Sequence, residues 1–255
     1  MERVVVNSVY TRAFFMTTNS IRSRVHFFGS AGTTAGHYPV GCELTVFGKG
    51  VERRSVRLDG GRLNQPDGIR IEDAFPSLAA ETSGICGLEV RLDCPQARIN
   101  LLNSRIVLEM VSPQFSLSFT AAPCSADTLQ AEGGAQSLEP KLARRMPVGI
   151  ALHDQLCSAS LVVVNASTDL IRPEVRHVLR DAEAPLHLGT VAAESVVEFP
   201  LDEALCKQGL VHEALWGDAV IEKLWATESI NDSAATWYLL YRDPVHKRPI
   251  SVCAV

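Results

Sequence analysis

Seven cysteines and seven histidines are the side chains of this 255-residue chain whose types could do chemistry. The cysteines stand at positions 42, 86, 94, 124, 157, 206 and 253, and the histidines at 26, 37, 153, 177, 187, 212 and 246. A nucleophile needs a base beside it, and the closest mixed pairs along the chain are His37 with Cys42 and His153 with Cys157. On a helix the second pair would share a face, because residues four apart are neighbours there. Neither pair extends to a metal site: zinc needs two further ligands, usually as a second tight pair, and no Cys-x-x-Cys occurs. No metal and no cofactor is expected. There is no Gly-x-Ser-x-Gly elbow and no cysteine-protease motif, so His37 and Cys42 stand as the candidate catalytic pair. Core packing is the alternative for Cys86, Cys94, Cys157 and Cys253, since free cysteine is among the most often buried residues.

Anion chemistry has one candidate, the stretch Phe28-Gly29-Ser30-Ala31-Gly32-Thr33-Thr34-Ala35-Gly36-His37. Small residues let backbone amides converge on an anion, and Thr33 or Thr34 would add hydroxyl donors. No lysine stands where a P-loop needs one and no helical pattern follows, so the P-loop and Rossmann readings both fail. A binding loop carrying Ser30, Thr33, Thr34 and His37 is the functional expectation, with a hairpin or interface loop between strands at 23–28 and near Cys42 as the structural one. Carboxylates pair at Glu72 with Asp73, Glu198 with Asp202, and Asp202 with Glu203. A glycosidase would need such a pair inside a cleft with aromatic platforms, yet aromatic content is only 6%. Each pair also falls where a helix would start, and there carboxylates cap the first turn.

The C-terminal third holds all three tryptophans, Trp216, Trp225 and Trp237, with Tyr238 and Tyr241 beside Arg242, His246, Lys247 and Arg248. Aromatic rings next to cations hold sugars, aromatic ligands or single strands by stacking, which makes Trp237, Tyr241, Arg242 and His246 ligand-binding candidates. The competing reading places the rings in a core, Trp237 and Leu239 on one face of a strand and Tyr238 and Leu240 on the other, with 242–248 as a solvated hairpin loop. Two apolar faces on one strand predict that both are covered, and hence an interface with another domain or another subunit.

The elements that must position these residues are read from period-two patterns. Val4 and Val6, Leu44 and Val46, Leu88, Val90 and Leu92, and Leu117 and Phe119 alternate with polar or small neighbours. Turn chemistry separates them at Gly48-Lys49-Gly50, Asp59-Gly60-Gly61, Gln65-Pro66-Asp67-Gly68 and Asp93-Cys94-Pro95. Short strands with few helices between them predict antiparallel sandwiches rather than a βαβ sheet. Helical corners are expected at 71–80, where Pro76 interrupts, and at 201–208.

Residues 122–147 are rich in small and polar side chains and form the expected linker between an N-terminal sandwich, 1–121, and a C-terminal one, 148–255. The halves share an order of elements: 43–47, 55–58 and 69–76 against 161–165, 174–179 and 196–201, with Phe75-Pro76 and Phe199-Pro200 at corresponding corners. Residues 87–92 and 97–102 then parallel 209–215 and 219–224, and hairpins 105–110/115–119 and 236–241/250–254 close each half. The expected fold is therefore all-β: two tandem antiparallel β-sandwich (Ig-like) units with short helical corners, related by internal duplication. In strand order alone such a unit resembles small bacterial β-sandwiches, sensory rhodopsin transducers among them; no motif or functional residue carries over, and no family is assigned.

Composition bounds the function. With 46% hydrophobic and 21% charged residues the chain is globular. No apolar run approaches the ~18 residues of a membrane helix. The start Met1-Glu2-Arg3 lacks the order of a signal peptide, so a cytoplasmic protein with reduced thiols and no membrane association is expected. A net charge of -5 disfavours a nucleic-acid partner. The leading expectation is a non-catalytic scaffold or accessory protein that binds a protein partner, its own copies as a homo-oligomer, or a small molecule. The alternative is an enzyme or accessory subunit with a site at the inter-domain cleft, using Cys42 with His37 or a carboxylate pair. A single-strand binder built on the C-terminal aromatic and basic residues ranks third.

Overall fold

The computed structural model describes residues 7–18, 20–28, 41–63, 65–82, 84–94, 105–123, 146–147, 158–168, 170–171, 173–179, 182–187, 189–201, 220–225 and 235–254. Over these residues the fold is all-β, and every strand pairing is antiparallel. Among them no helix is long and apolar enough to cross a membrane.

The first half supplies β1 (Asn7–Thr17), β2 (Arg22–Phe28), β3 (Gly41–Gly48), β4 (Val51–Asp59), β5 (Ile69–Arg70), β6 (Gly84–Cys94), β7 (Arg105–Ser112), β8 (Phe115–Thr120) and β9 (Ala122–Pro123). One sheet has the order β4-β3-β6-β1-β9 and the other β5-β2-β7-β8. Three helices of four residues each, α1 (Gly60–Leu63), α2 (Ile71–Ala74) and α3 (Leu78–Glu81), turn the corners between strands. The expected helical corner at 71–80 is split at Phe75-Pro76-Ser77, where proline lacks the amide needed to continue the ladder.

Short polar side chains set the connections. Thr18 Oγ1 accepts the amides of Ser20 and Ile21 and turns β1 into β2. Ser112 Oγ accepts those of Gln114 and Phe115 and turns β7 into β8. Gly50, at φ 78, supplies the left-handed residue of the β3–β4 hairpin.

β1 runs between β6 and β9 and lies against β2 and β7 of the other sheet. Ala13 and Phe15, Leu88 and Cys86, and Leu44 and Val46 share one face by register, and all are buried in one cluster with Val25, Ile71, Leu78, Leu108 and Met110. At about 1.5–3 kcal/mol for each fully buried large apolar side chain, this cluster is the main stabilising feature of the first half.

The second half supplies β10 (Met146–Pro147), β11 (Ser158–Asn165), β12 (Pro173–Leu179), β13 (Ala182–His187), β14 (Ser195–Pro200), β15 (Val220–Trp225), β16 (Ala235–Arg242) and β17 (Pro249–Ala254). Its sheets have the orders β14-β11-β16-β17 and β10-β15-β12-β13. β9 and β10 are the only described parts of the expected linker; 124–145 lies outside the described residues, as do Val4, Val6, 97–102, 202–208 and 209–215.

β11 is buried almost along its whole length, and so is β16 through Leu240. Val162, Val164, Tyr238 and Leu240 join the cluster built by the first half. Leu161, Val163, Trp237 and Leu239, which alternate with them, are buried on the opposite face. The neighbour expected for one face of β16 is thus the first half of the same chain. Phe14 and Phe119 both meet the Tyr238 ring edge-on, at centroid distances of 5.3 and 5.6 Å. β1 lies against β11, β14 against β6 and β3, and β17 against β8.

Candidate functional site

The thiols come first. Cys42 lies in β3 with 1% of its surface exposed, on the face it shares with Leu44 and Val46, while His37 and the loop residues Ser30, Thr33 and Thr34 lie outside the described residues. Reactive thiolates are at least partly exposed, whereas Cys42 is almost wholly covered. Cys86 is also buried, and its pKa is pushed up to about 11, chiefly because burial penalises the thiolate; a hydrogen bond from Thr82 opposes the shift and the Glu81 carboxylate adds to it. Cys253, on β17, is exposed.

The C-terminal candidates are divided by the fold. Trp237 is fully buried, Tyr241 half-buried, and His246 exposed in the β16–β17 turn. Arg242 grips Glu198 with a two-pronged contact, Nε to Oε1 at 2.9 Å and Nη2 to Oε2 at 2.8 Å, and donates from Nη1 to the Lys247 carbonyl at 3.0 Å. It thereby ties β14, β16 and the turn together. Asp243 Oδ1 accepts the amides of His246 and Val245 at 2.6 and 2.9 Å, and the same hydrogen bonds hold its carboxyl below the usual range. The arrangement makes the turn rigid and leaves no shared platform for the four candidates. Of the carboxylate pairs, Glu198 is engaged by Arg242, Glu72 Oε1 accepts the Ser23 amide at 3.1 Å just beyond the end of β5, and Asp202 and Glu203 lie outside the described residues.

Where the halves meet, a polar network fills the seam. Arg12 Nε contacts Glu89 Oε2 at 2.7 Å, and Arg53 Nη2 contacts Glu89 Oε1 at 2.9 Å. Arg53 then reaches across to Glu194 at 3.2 Å and to the Ala166 carbonyl at 3.4 Å. Its guanidinium lies over the Phe47 ring, which in turn covers Gly87 so closely that a Cβ there would overlap it. Arg12 and Glu89 are both buried, whereas Arg53 and Glu194 at the other end of the network are partly exposed. Among the described residues no three His, Cys, Asp or Glu side chains converge as metal ligands would.

A set of polar residues not singled out from sequence lies on the open face of β5-β2-β7-β8. Arg22, Arg24 and His26 alternate along β2; Arg70 opposes Arg24 from β5, and Glu109 opposes it from β7. His26 Nε2 is 3.0 Å from Glu109 Oε2, Arg24 Nη1 is 3.9 Å from the same oxygen, and Ser116 Oγ donates to Oε1 at 3.2 Å. In this chain of contacts the carboxylate, not the imidazole, is central. Ser116 donates its proton to that carboxylate and not to a histidine. The signal of this grouping in the sequence is the alternation Arg22-Ser23-Arg24-Val25-His26-Phe27. No protein-family model matches this chain, and no curated protein is similar to it.

Proposed function

We propose that the chain is a non-catalytic binding protein, a scaffold or accessory subunit made of two like β-sandwich units and acting through a partner. The observation that carries the reading is the contrast between two sheet faces. On β14-β11-β16-β17 the apolar side chains Val162, Val164, Tyr238 and Leu240 are closed off by the first half, whereas the face of β5-β2-β7-β8 is arginine-rich and open. A closed apolar face fixes the body, and an open charged one is free to recognise.

Duplication is supported by the order of strands. β4-β3-β6-β1 is matched, strand for strand along the chain, by β13-β12-β15-β10, and β5-β2-β7-β8 by β14-β11-β16-β17. The pairings of β3 with β6 and of β2 with β5 are also those of the third with the sixth strand and the second with the fifth in an immunoglobulin sandwich, which favours the Ig-like description. The face of β16 that argued for a neighbour is occupied within the chain, so the reading puts the partner on the open sheet. Competitive alkylation at neutral pH tests the non-catalytic part: Cys253 is expected to react well ahead of Cys42, and a Cys42 that reacts first would restore a thiol enzyme in its place.

A further inference from the structure

The open face of β5-β2-β7-β8 carries like charges where packing alone would not put them. Arg24 and Arg70 are directly opposite across β2 and β5, an arrangement that lowers sheet stability, and Arg22 follows on the same face. Glu109 is the only acidic residue in these four strands. Its oxygens are already engaged by His26 and Ser116, and Arg24 stands further off. Arg24 Nε is shielded from water and has no hydrogen-bond acceptor among the described residues. Arg22 and Arg70 are exposed, and so are Ser116, Ser118 and Thr120 along the β8 side.

We propose that this face docks an acidic, extended segment of a partner protein. The proposal rests on the binding-protein reading above and gives it a site and a partner chemistry. Arginines two apart on a strand are about 7 Å from each other, the spacing of alternate side chains in an extended peptide, and neighbouring strands are about 4.8 Å apart. Aspartate or glutamate carboxylates repeating at that interval meet successive guanidinium forks, each able to bind two oxygens at once. An open sheet face gives a small anion no enclosure, and the net charge of -5 works against a long nucleic-acid strand.

The test is fluorescence anisotropy of a labelled oligoglutamate peptide with the full chain at low ionic strength. Saturable binding is expected, weakened about tenfold when Arg22→Ala and Arg70→Ala are combined, and weakened again by salt. Both side chains are exposed, so the double variant should keep the native far-ultraviolet circular dichroism and urea midpoint; Arg57→Ala, on the other sheet, should leave binding unchanged. The proposal is overturned by absence of saturable binding, by binding that the double variant does not weaken, or by tighter binding of a single-stranded oligonucleotide through the same arginines. The alkylation result fails or holds independently of this outcome, so the two readings can be separated.

Discussion

The Tyr238 hydroxyl donates to the backbone carbonyl of Arg12 at 2.5 Å, joining residues 226 positions apart in the chain. Arg12 lies in β1 and Tyr238 in β16, so the bond ties an interior strand of one half to a buried strand of the other. The Phe14 and Phe119 rings surround the same tyrosine, and this part of the seam belongs to the core.

Coupling of the halves follows from that packing. All tryptophans lie in the second half, so their fluorescence reports on that half alone. Phe14→Ala, made in the first half, should cost about 3–5 kcal/mol and move the tryptophan-detected urea midpoint to lower denaturant. An unchanged tryptophan midpoint would show that the halves unfold independently.

The Arg12–Glu89 pair behaves as a buried one. Glu89→Gln leaves Arg12 buried beside a neutral amide and is expected to cost about 3–5 kcal/mol, little affected by salt. Glu194→Gln removes a more exposed contact to Arg53 and should cost only about 0.2–1 kcal/mol, fading as salt rises. Denaturant melts at two ionic strengths distinguish the two cases.

Cys86 gives stability a pH dependence on the alkaline side. Its folded pKa, about 11, lies above the ordinary value of 9.0, so its contribution is fully present below pH 9 and is lost as pH rises towards 11. The loss proceeds at up to about 1.4 kcal/mol per pH unit. Cys86→Ala should flatten that limb of the stability curve, as read by urea melts across the window.

Asp243 acts in the opposite direction. Its carboxyl is held below the usual value by the amides of His246 and Val245, so its support for the turn is present above that value and lost in acid. Asp243→Ala should release both amides to rapid hydrogen exchange at neutral pH while β16 itself stays protected.

Much of the strand framework was legible from alternation. Leu44 with Val46, and Leu88, Val90 and Leu92, lie in β3 and β6, and the glycine-rich turn between β3 and β4 falls where Gly48-Lys49-Gly50 placed it. β1 was not legible, because Ala13-Phe14-Phe15-Met16 is apolar on both faces and Arg12 reads as a surface residue until Glu89 is placed beside it. β13 was missed because Pro185 argues against a strand; it sits on an edge strand, where a missing amide is tolerated.

The hydropathy pattern pairs 161–165 with 43–47, β11 with β3, whereas the count of strands along each half pairs β11 with β2. β11 is nearly all apolar because both its faces are covered, while β2 alternates arginine and histidine with its buried residues. The same difference leaves the β2 face charged and open.

Hydrogen exchange of the full chain with and without the oligoglutamate peptide tests the central claim, that this protein works by binding on the open face of β5-β2-β7-β8. Added protection is expected in β2, β5 and β7, with no change at the seam around Arg53 and Glu194 or in the Asp243–Arg248 turn. Protection confined to the seam or to that turn, or no protection at saturating peptide, would contradict it.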